Sequence, residues 1–346
     1  MKRITCLILC SITLIWFCTI YVSAQLTRST ARTGTTAAQF LKIGAGARPL
    51  GMAGAFTSVI GDINSIYWNP AGIARIYSGE VTFNHASWLA ETNYDFAAFA
   101  LDLGEIGTIG GSVVSFRVPE DIVRTYKFPE GDGRRFDASS LALALSYARN
   151  LTDRFSIGFT AKYVREQIWN ESANGFAVDF GTLYITPFND LRIGASISNF
   201  GTKMRLEGRD LLFNESAISI SGTNKIDNIP SNYQTDYYDI PLTFRIGISM
   251  DVLKTDLFRA TAAIDATHPN DNTEYVNSGL ELGYKETFFA RVGYKSLFLR
   301  DSEQSIAAGA GVNYNVVGAV NIKVDYAYAN YGRLSGVHFI SIGLKF

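Results

Sequence analysis

The chain has 346 residues and a formal net charge of −1, with 31 basic and 32 acidic side chains. Nothing in that balance points to nucleic acid. The three cysteines, Cys6, Cys10 and Cys18, all lie near the start, so the remaining chain has no disulfide framework, thiolate metal site or cysteine nucleophile.

The first element is an export signal. Lys2 and Arg3 precede an apolar run containing Leu7-Ile8-Leu9 and Leu14-Ile15-Trp16-Phe17. Val22-Ser23-Ala24 then supplies small residues for cleavage before Gln25. Residues 1–24 therefore read as a secretory signal peptide rather than a membrane anchor. Beyond them no apolar run reaches about 18 residues, so no transmembrane helix is expected.

Residues 25–78 do not alternate as strands do. They hold Gly44-Ala45-Gly46-Ala47-Arg48-Pro49-Leu50-Gly51 and then Tyr67-Trp68-Asn69-Pro70-Ala71-Gly72. Small residues let backbone pack on backbone, and Asn-Pro starts a turn. The content of Ile, Leu, Met, Phe and Trp favours folding into a lumen, as a plug, over disorder outside it. Asn69, Pro70 and Ala71 are expected to form the turn that seats this plug.

From Gly79 onward the dominant pattern is alternation of period two, the mark of strands with two different faces. In Leu242 to Val252, Phe244, Ile246, Ile248 and Met250 share one face, and Thr243, Arg245, Gly247 and Ser249 the other. The pattern predicts strands at 80–88, 93–103, 106–118, 136–148, 155–168, 173–186, 191–200, 241–253, 257–267, 274–286, 288–297, 304–315, 319–328 and 336–346. Fourteen is an even number, as a bacterial single-chain barrel requires. The connections sort as well. Even-numbered ones are tight, such as Gly104-Glu105 and Glu286-Thr287, whereas odd-numbered ones include the two longest, 119–135 and 201–240. A transmembrane barrel sorts its turns and loops in this way. The chain ends Ile340, Ile342, Leu344 and Phe346 on one face, a final aromatic of the kind read by outer-membrane insertion machinery. The fold class is therefore all-β: a 14-stranded antiparallel transmembrane β-barrel with an N-terminal plug. The domains are residues 1–24, 25–78 and 79–346, and the location is the cell outer membrane, in contact with its lipid.

Charges facing lipid are costly, so polar faces must point inward. The inward set mixes Arg117, Lys162, Arg245, Arg259, Arg291, Lys295 and Lys323 with Glu166, Asp179, Asp251, Asp265, Glu281 and Asp325. Mixed signs favour pairing across an occupied lumen over a selective pore. Arg245 and Arg291 are expected to bridge to Asp251, Asp265 or Glu281. Trp88, Trp169, Tyr94 and Tyr284 are expected at the membrane–water belts.

No catalytic constellation, metal cluster or cofactor motif stands out. The three histidines, His85, His268 and His338, lie in different strands or loops. His268 near Asp265 and Asp271 reads as a polar turn, not a triad. Asp271, Asn272 and Glu274 lack the spacing of an EF-hand.

The Gly/Ala-rich stretch followed by Asn69-Pro70-Ala71 resembles the N-terminal hatch of FadL-type long-chain fatty acid transporters. Those are 14-stranded barrels with a plug. The rest is similar to one branch of that superfamily, the PorV/PorQ family. The stretches that carry this are His85-Ala86-Ser87-Trp88-Leu89, Asp265-Ala266-Thr267-His268-Pro269-Asn270-Asp271, Arg291-Val292-Gly293-Tyr294-Lys295 and Met204-Arg205-Leu206-Glu207-Gly208. The long loop resembles PorV more than PorQ. The resemblance implies a component of the type IX secretion system with no enzymatic activity. Its partners would be the translocon barrel, the C-terminal signal domains of cargo and the surface attachment complex. Loop residues Arg205, Glu207, His268 and Asp271 are the candidate contacts. The alternative is a FadL-like transporter of fatty acids or other hydrophobic compounds, which an inward apolar cluster would favour.

Overall fold

A computed structural model describes residues 32–218, 225–299, 302–316 and 320–346. The expected signal peptide, residues 1–24, lies outside the described residues. None of the described helices is long and apolar enough to cross a membrane.

Among the described residues, seventeen strands follow a helical and irregular segment. The first seven are β1 (Glu80–Ser87), β2 (Asn93–Asp102), β3 (Thr108–Ile122), β4 (Arg135–Asn150), β5 (Phe155–Ile168), β6 (Glu171–Ile185) and β7 (Arg192–Gly201). The long connection then holds β8 (Glu207–Gly208), β9 (Leu212–Ile218) and β10 (Lys225–Asn232). The last seven are β11 (Thr243–Lys254), β12 (Phe258–Pro269), β13 (Tyr275–Tyr284), β14 (Phe288–Leu297), β15 (Ile306–Asn315), β16 (Asn321–Asn330) and β17 (Gly336–Lys345).

The first seven and last seven strands form a closed antiparallel ring. Each pairs with its chain neighbour, β7 pairs with β11 across the long connection, and β1 pairs with β17. The seam is sealed at the chain's end, where Gly79 and Phe346 exchange backbone bonds of 2.9 Å. Closure leaves no unpaired edge in the ring. This is the 14-stranded barrel that the alternation predicts.

Facing follows the pattern residue by residue. On β11, Phe244, Ile246 and Ile248 are exposed on the outer wall, whereas Thr243, Arg245 and Ser249 are buried inside. Ile340, Ile342, Leu344 and Phe346 are likewise on the outer surface. A wall that is apolar outward and polar or small inward fits a lipid surround.

Two loop boundaries differ from expectation. The ladder between β3 and β4 runs on to Ile122 and Arg135, past a register shift between Val118 and Asp121. Apolar alternation stops at Val118, but ladder hydrogen bonds continue without lipid to face. The 201–240 loop is not structureless either, since β9 and β10 form a separate hairpin there. One connection at the long-loop end is short: only Trp169-Asn170 separates β5 from β6.

Candidate functional site

Residues 36–76 pack against the inner faces of the strands, from the long-loop end to the end that holds the short turns and Phe346. At the long-loop end, the Ala37 N–H donates to the Asp239 carbonyl (2.9 Å) and the Ala38 N–H to Glu166 Oε2 (2.9 Å). Asp271, in the β12–β13 connection, accepts from Lys42 Nζ (2.7 Å), Gln39 Nε2 (3.1 Å) and Thr36 Oγ1 (3.0 Å). At the opposite end, Arg75 donates to the Asp153 carbonyl (2.8 Å) and to Ser156 Oγ (2.9 Å). Burial alone would raise the Asp271 carboxyl, but the bonds from Lys42, Gln39 and Thr36 outweigh it and hold the group below the ordinary aspartate range.

Glycines in the wall let this segment approach. Gly158 of β5 and Gly181 of β6 are cross-strand partners, and Pro70-Ala71 lies directly over them. Gly194 of β7 faces Gly247 of β11, with Thr57 above the pair. Gly279 of β13 faces Gly293 of β14, with Met52 above that pair. A side chain at five of these would overlap the segment, and at Gly247 it would meet Asp265 of the wall, with Thr57 at 3.0 Å. Each glycine pair is thus a dent that receives backbone.

Asn69, Pro70 and Ala71 sit at the first dent. The Asn69 amide donates to the Thr57 carbonyl (2.7 Å) and the Thr182 carbonyl of β6 (3.0 Å). Its Oδ1 accepts from the Ala71 N–H (3.1 Å), capping the 3₁₀ turn Pro70–Arg75. Proline suits the first position of that turn because its missing donor would have no partner there. The motif thus joins two parts of the segment to the barrel wall.

Charge completes the attachment. Glu281 of β13 accepts two bonds from Arg48 (2.8 Å each), one from Arg291 Nε (2.7 Å) and two from Arg259 (3.2 and 3.1 Å). Arg48 also reaches Asp62 (2.9 Å), and Arg291 reaches Asp325 (2.6 Å). Arg192 pairs with Asp251 (2.7 Å) and Lys162 with Asp179 (2.6 Å). Apart from the mid-strand Lys162–Asp179 pair, these groups cluster towards the short-turn end, where Arg48, Asp62, Arg192, Asp251, Arg259 and Lys323 border a cavity of about 350 Å³.

Several expectations need correction. Arg117 is not inward: it is exposed on the outer face of β3 and pairs with Asp95 (2.8 Å), because its cross-strand partner Asn93 shares the face opposite Tyr94 and Phe96. Arg245 has no carboxylate partner among the described residues. It lies over the Trp68 ring (5.5 Å) and donates to Ser198 (3.3 Å). Asp265 is instead taken by the N–H groups of Phe56 and Thr57 (2.8 Å each), because the segment's backbone reaches it in the dent at Gly247. Tyr94 is not in an outer belt. It is 1% exposed and shares the inner face of β2 with Phe96, because the parity of the strand overrides the tyrosine's preference for an interface. The lumen is also not charged throughout, since Tyr94, Phe96, Val114, Val164, Met204 and Phe339 form an inward apolar cluster with Trp68 and Phe40.

The loop candidates fall into three places. Arg205 and Glu207 pair with each other in the long connection, with Arg205 over the Tyr237 ring at 4.8 Å. His268 faces outward on β12 and pairs with Glu274 (2.8 Å). Asp271 points inward and is fully buried against the segment. His85 pairs with Asp95 (2.7 Å) and His338 with Tyr326 (2.6 Å), both apart from His268. Among the described residues no group of acidic, histidine or cysteine side chains is arranged to hold a metal.

Arg48 and Asp62 were not among the sequence candidates. A signal was present, because they are the only charged residues between Lys42 and Arg75. A lone charge in such a stretch must find a partner if the stretch is buried.

Among solved structures, the fold is similar to the toluene transporter TbuX of Ralstonia pickettii, with TM-score 0.52 and 13% identity over 87% of this chain and 97% of that one. A FadL homologue of Pseudomonas aeruginosa gives TM-score 0.54 and 12% identity over 87% and 98%. The toluene transporter TodX of Pseudomonas putida gives 0.53 and 13% over 87% and 97%. At such identities the likeness is one of fold. No curated protein matches the chain. The family model described as type IX secretion system protein PorV matches residues 26–212. The chain belongs to the PorV family of the type IX secretion system, as an outer-membrane β-barrel.

Proposed function

We propose that this barrel binds the C-terminal signal domain of secreted cargo at its long-loop rim and passes the cargo from the translocon to the surface attachment complex. It acts as a binding protein, without a reaction of its own. Residues 25–78, once the signal at 1–24 is removed, serve as the plug of the barrel formed by 79–346. The observation that carries this reading is where free surface remains. Residues 36–76 occupy the lumen, whereas the rim exposes Tyr126, Phe128, Leu212, Tyr233, Tyr237 and Phe298. Exposed aromatics are enriched where protein partners bind. Arg205, Glu207 and His268 lie on the same side as these residues and are the polar contacts proposed here. Asp271 belongs to the plug's attachment. Deleting the gene should leave cargo that carries the signal domain in the periplasm, and unchanged export in the deletion strain would sink the reading.

A second reading is transport of hydrophobic compounds. The inward apolar cluster around Tyr94, Phe96 and Trp68 supports it, as does a fold shared with toluene transporters. Mass spectrometry of the barrel extracted from its own membranes separates the two. Stoichiometric fatty acid would support transport, and co-purifying translocon and cargo would support secretion.

A further inference from the structure

The hairpin in the long connection has two edges of different quality. Among the described residues, its strands β9 and β10 pair only with each other. Its root is fixed to the barrel: β8 pairs with the start of β6, and the Asp210 N–H donates to Glu171 Oε1 (2.8 Å). Phe213 and Tyr233 stack across it at 4.3 Å. The Tyr233 N–H donates to the Leu211 carbonyl (2.9 Å), so the odd-numbered residues of β9 bond to β10. The even-numbered ones, Leu212 and Asn214, turn their backbone groups to the outer edge.

The same alternation places Pro230, the partner of Asn214, with its ring nitrogen towards the outer edge of β10. That edge has lost a donor. It is also interrupted by a register shift between Ile226 and Ile229, where Asn228 adopts a left-handed φ of 62°. Proline and bulges are devices that keep an edge from pairing further. The β9 edge has neither, and carries no Lys or Arg between Leu212 and Ile218. Among the described residues no backbone bond reaches β9 from outside the hairpin.

We propose that the outer edge of β9 is a docking edge, onto which an extended segment of the cargo's signal domain adds as a third strand. This rests on the cargo-binding reading above and specifies the recognition: main-chain hydrogen bonds to Leu212–Ile218. Protection of one edge alone leaves the other available to a strand, which is the only element that satisfies a row of backbone donors and acceptors.

The test uses the full chain, purified in detergent, and a signal domain from one of the organism's own secreted cargo proteins. Asn214→Pro removes a donor from the free edge while leaving the bonds to β10, as Pro230 already does opposite. Asn214→Ala keeps the donor. Asn214→Ala is expected to bind cargo like the parent, and Asn214→Pro to bind about tenfold or more weakly, with both retaining the parent's heat-modifiable gel migration. A cysteine at Asn214, in a mature chain that has no other, is expected to cross-link to alternate residues of one cargo strand. Equal binding by Asn214→Pro, or cross-links without a period of two, overturns the docking edge and leaves the cargo-binding reading standing. No binding by the parent overturns both. If Asn214→Pro abolishes only self-association, the edge belongs to a second copy of the chain and the proposal fails.

Discussion

Glu281 is the residue on which the lumen's electrostatics converge. It is fully buried and serves Arg48 of the segment together with Arg259 and Arg291 of the wall. Removing one partner of a buried ion pair leaves an uncompensated charge and costs about 3–5 kcal/mol. Glu281→Gln is therefore expected to destabilise the barrel by that order, read as a lower temperature for the heat-modifiable shift on a gel. Glu286→Gln should change it little, because that carboxylate is exposed and meets only Arg259. Asp271 gives a pH-dependent counterpart. Its folded value lies below the ordinary aspartate value of 3.8, so its stabilisation is present above the unfolded value and is lost as pH falls through the depressed one. Hydrogen exchange at Gln39–Lys42 should accelerate on that descent, and Asp271→Asn should show fast exchange already at neutral pH. An Asp271→Asn variant with the parent's slow exchange would remove the tie from the account. At this scale the sequence was legible where strand parity decides, which set the inward acids and bases correctly except Arg117, whose strand runs on past the lipid-facing stretch and turns that side chain outward to Asp95. It was not legible where a second layer competes, and so Asp265 binds segment backbone while Arg245 lies over Trp68.

At the scale of elements, the three glycine pairs explain how an irregular segment can lie flat against a pleated wall. Glycine in strand interiors reads as a weakness until its partner across the ladder is known. Register makes Gly158 and Gly181 neighbours, and sequence alternation does not supply register. Gly158→Ala places a methyl group against the Pro70 carbonyl group, a backbone atom that cannot move aside cheaply. Overpacking of this kind costs about 1–3 kcal/mol. The expected outcome is faster proteolysis within residues 39–76 with the barrel still folded. Protection equal to the parent's would show that the dent is dispensable. The strands themselves were readable to within a few residues because lipid imposes one apolar face. Outside the bilayer that constraint ends, and there the reading missed the extension of β3 and β4 and the β9–β10 hairpin.

At the scale of the whole molecule, strand number and segment length belong together. A barrel of about 8 strands fills its interior with its own side chains, whereas one of 16–18 leaves an aqueous channel. A 14-stranded ring lies near the open end of that range, and its inward faces are rich in glycine, alanine and serine. Something else must fill it, and residues 36–76 contribute Phe40, Leu50, Met52, Phe56, Ile66 and Trp68 to the buried core. The prediction is that the full chain in a planar lipid bilayer shows no stable conductance steps, while a variant lacking residues 39–76 shows large ones. Selectivity of the opened pore should be weak, because its inward acids and bases are nearly balanced and form no ring of one sign. Steps of equal size from both proteins would mean that the segment does not close the lumen, and the working surface would then have to be sought inside the barrel and not at its rim.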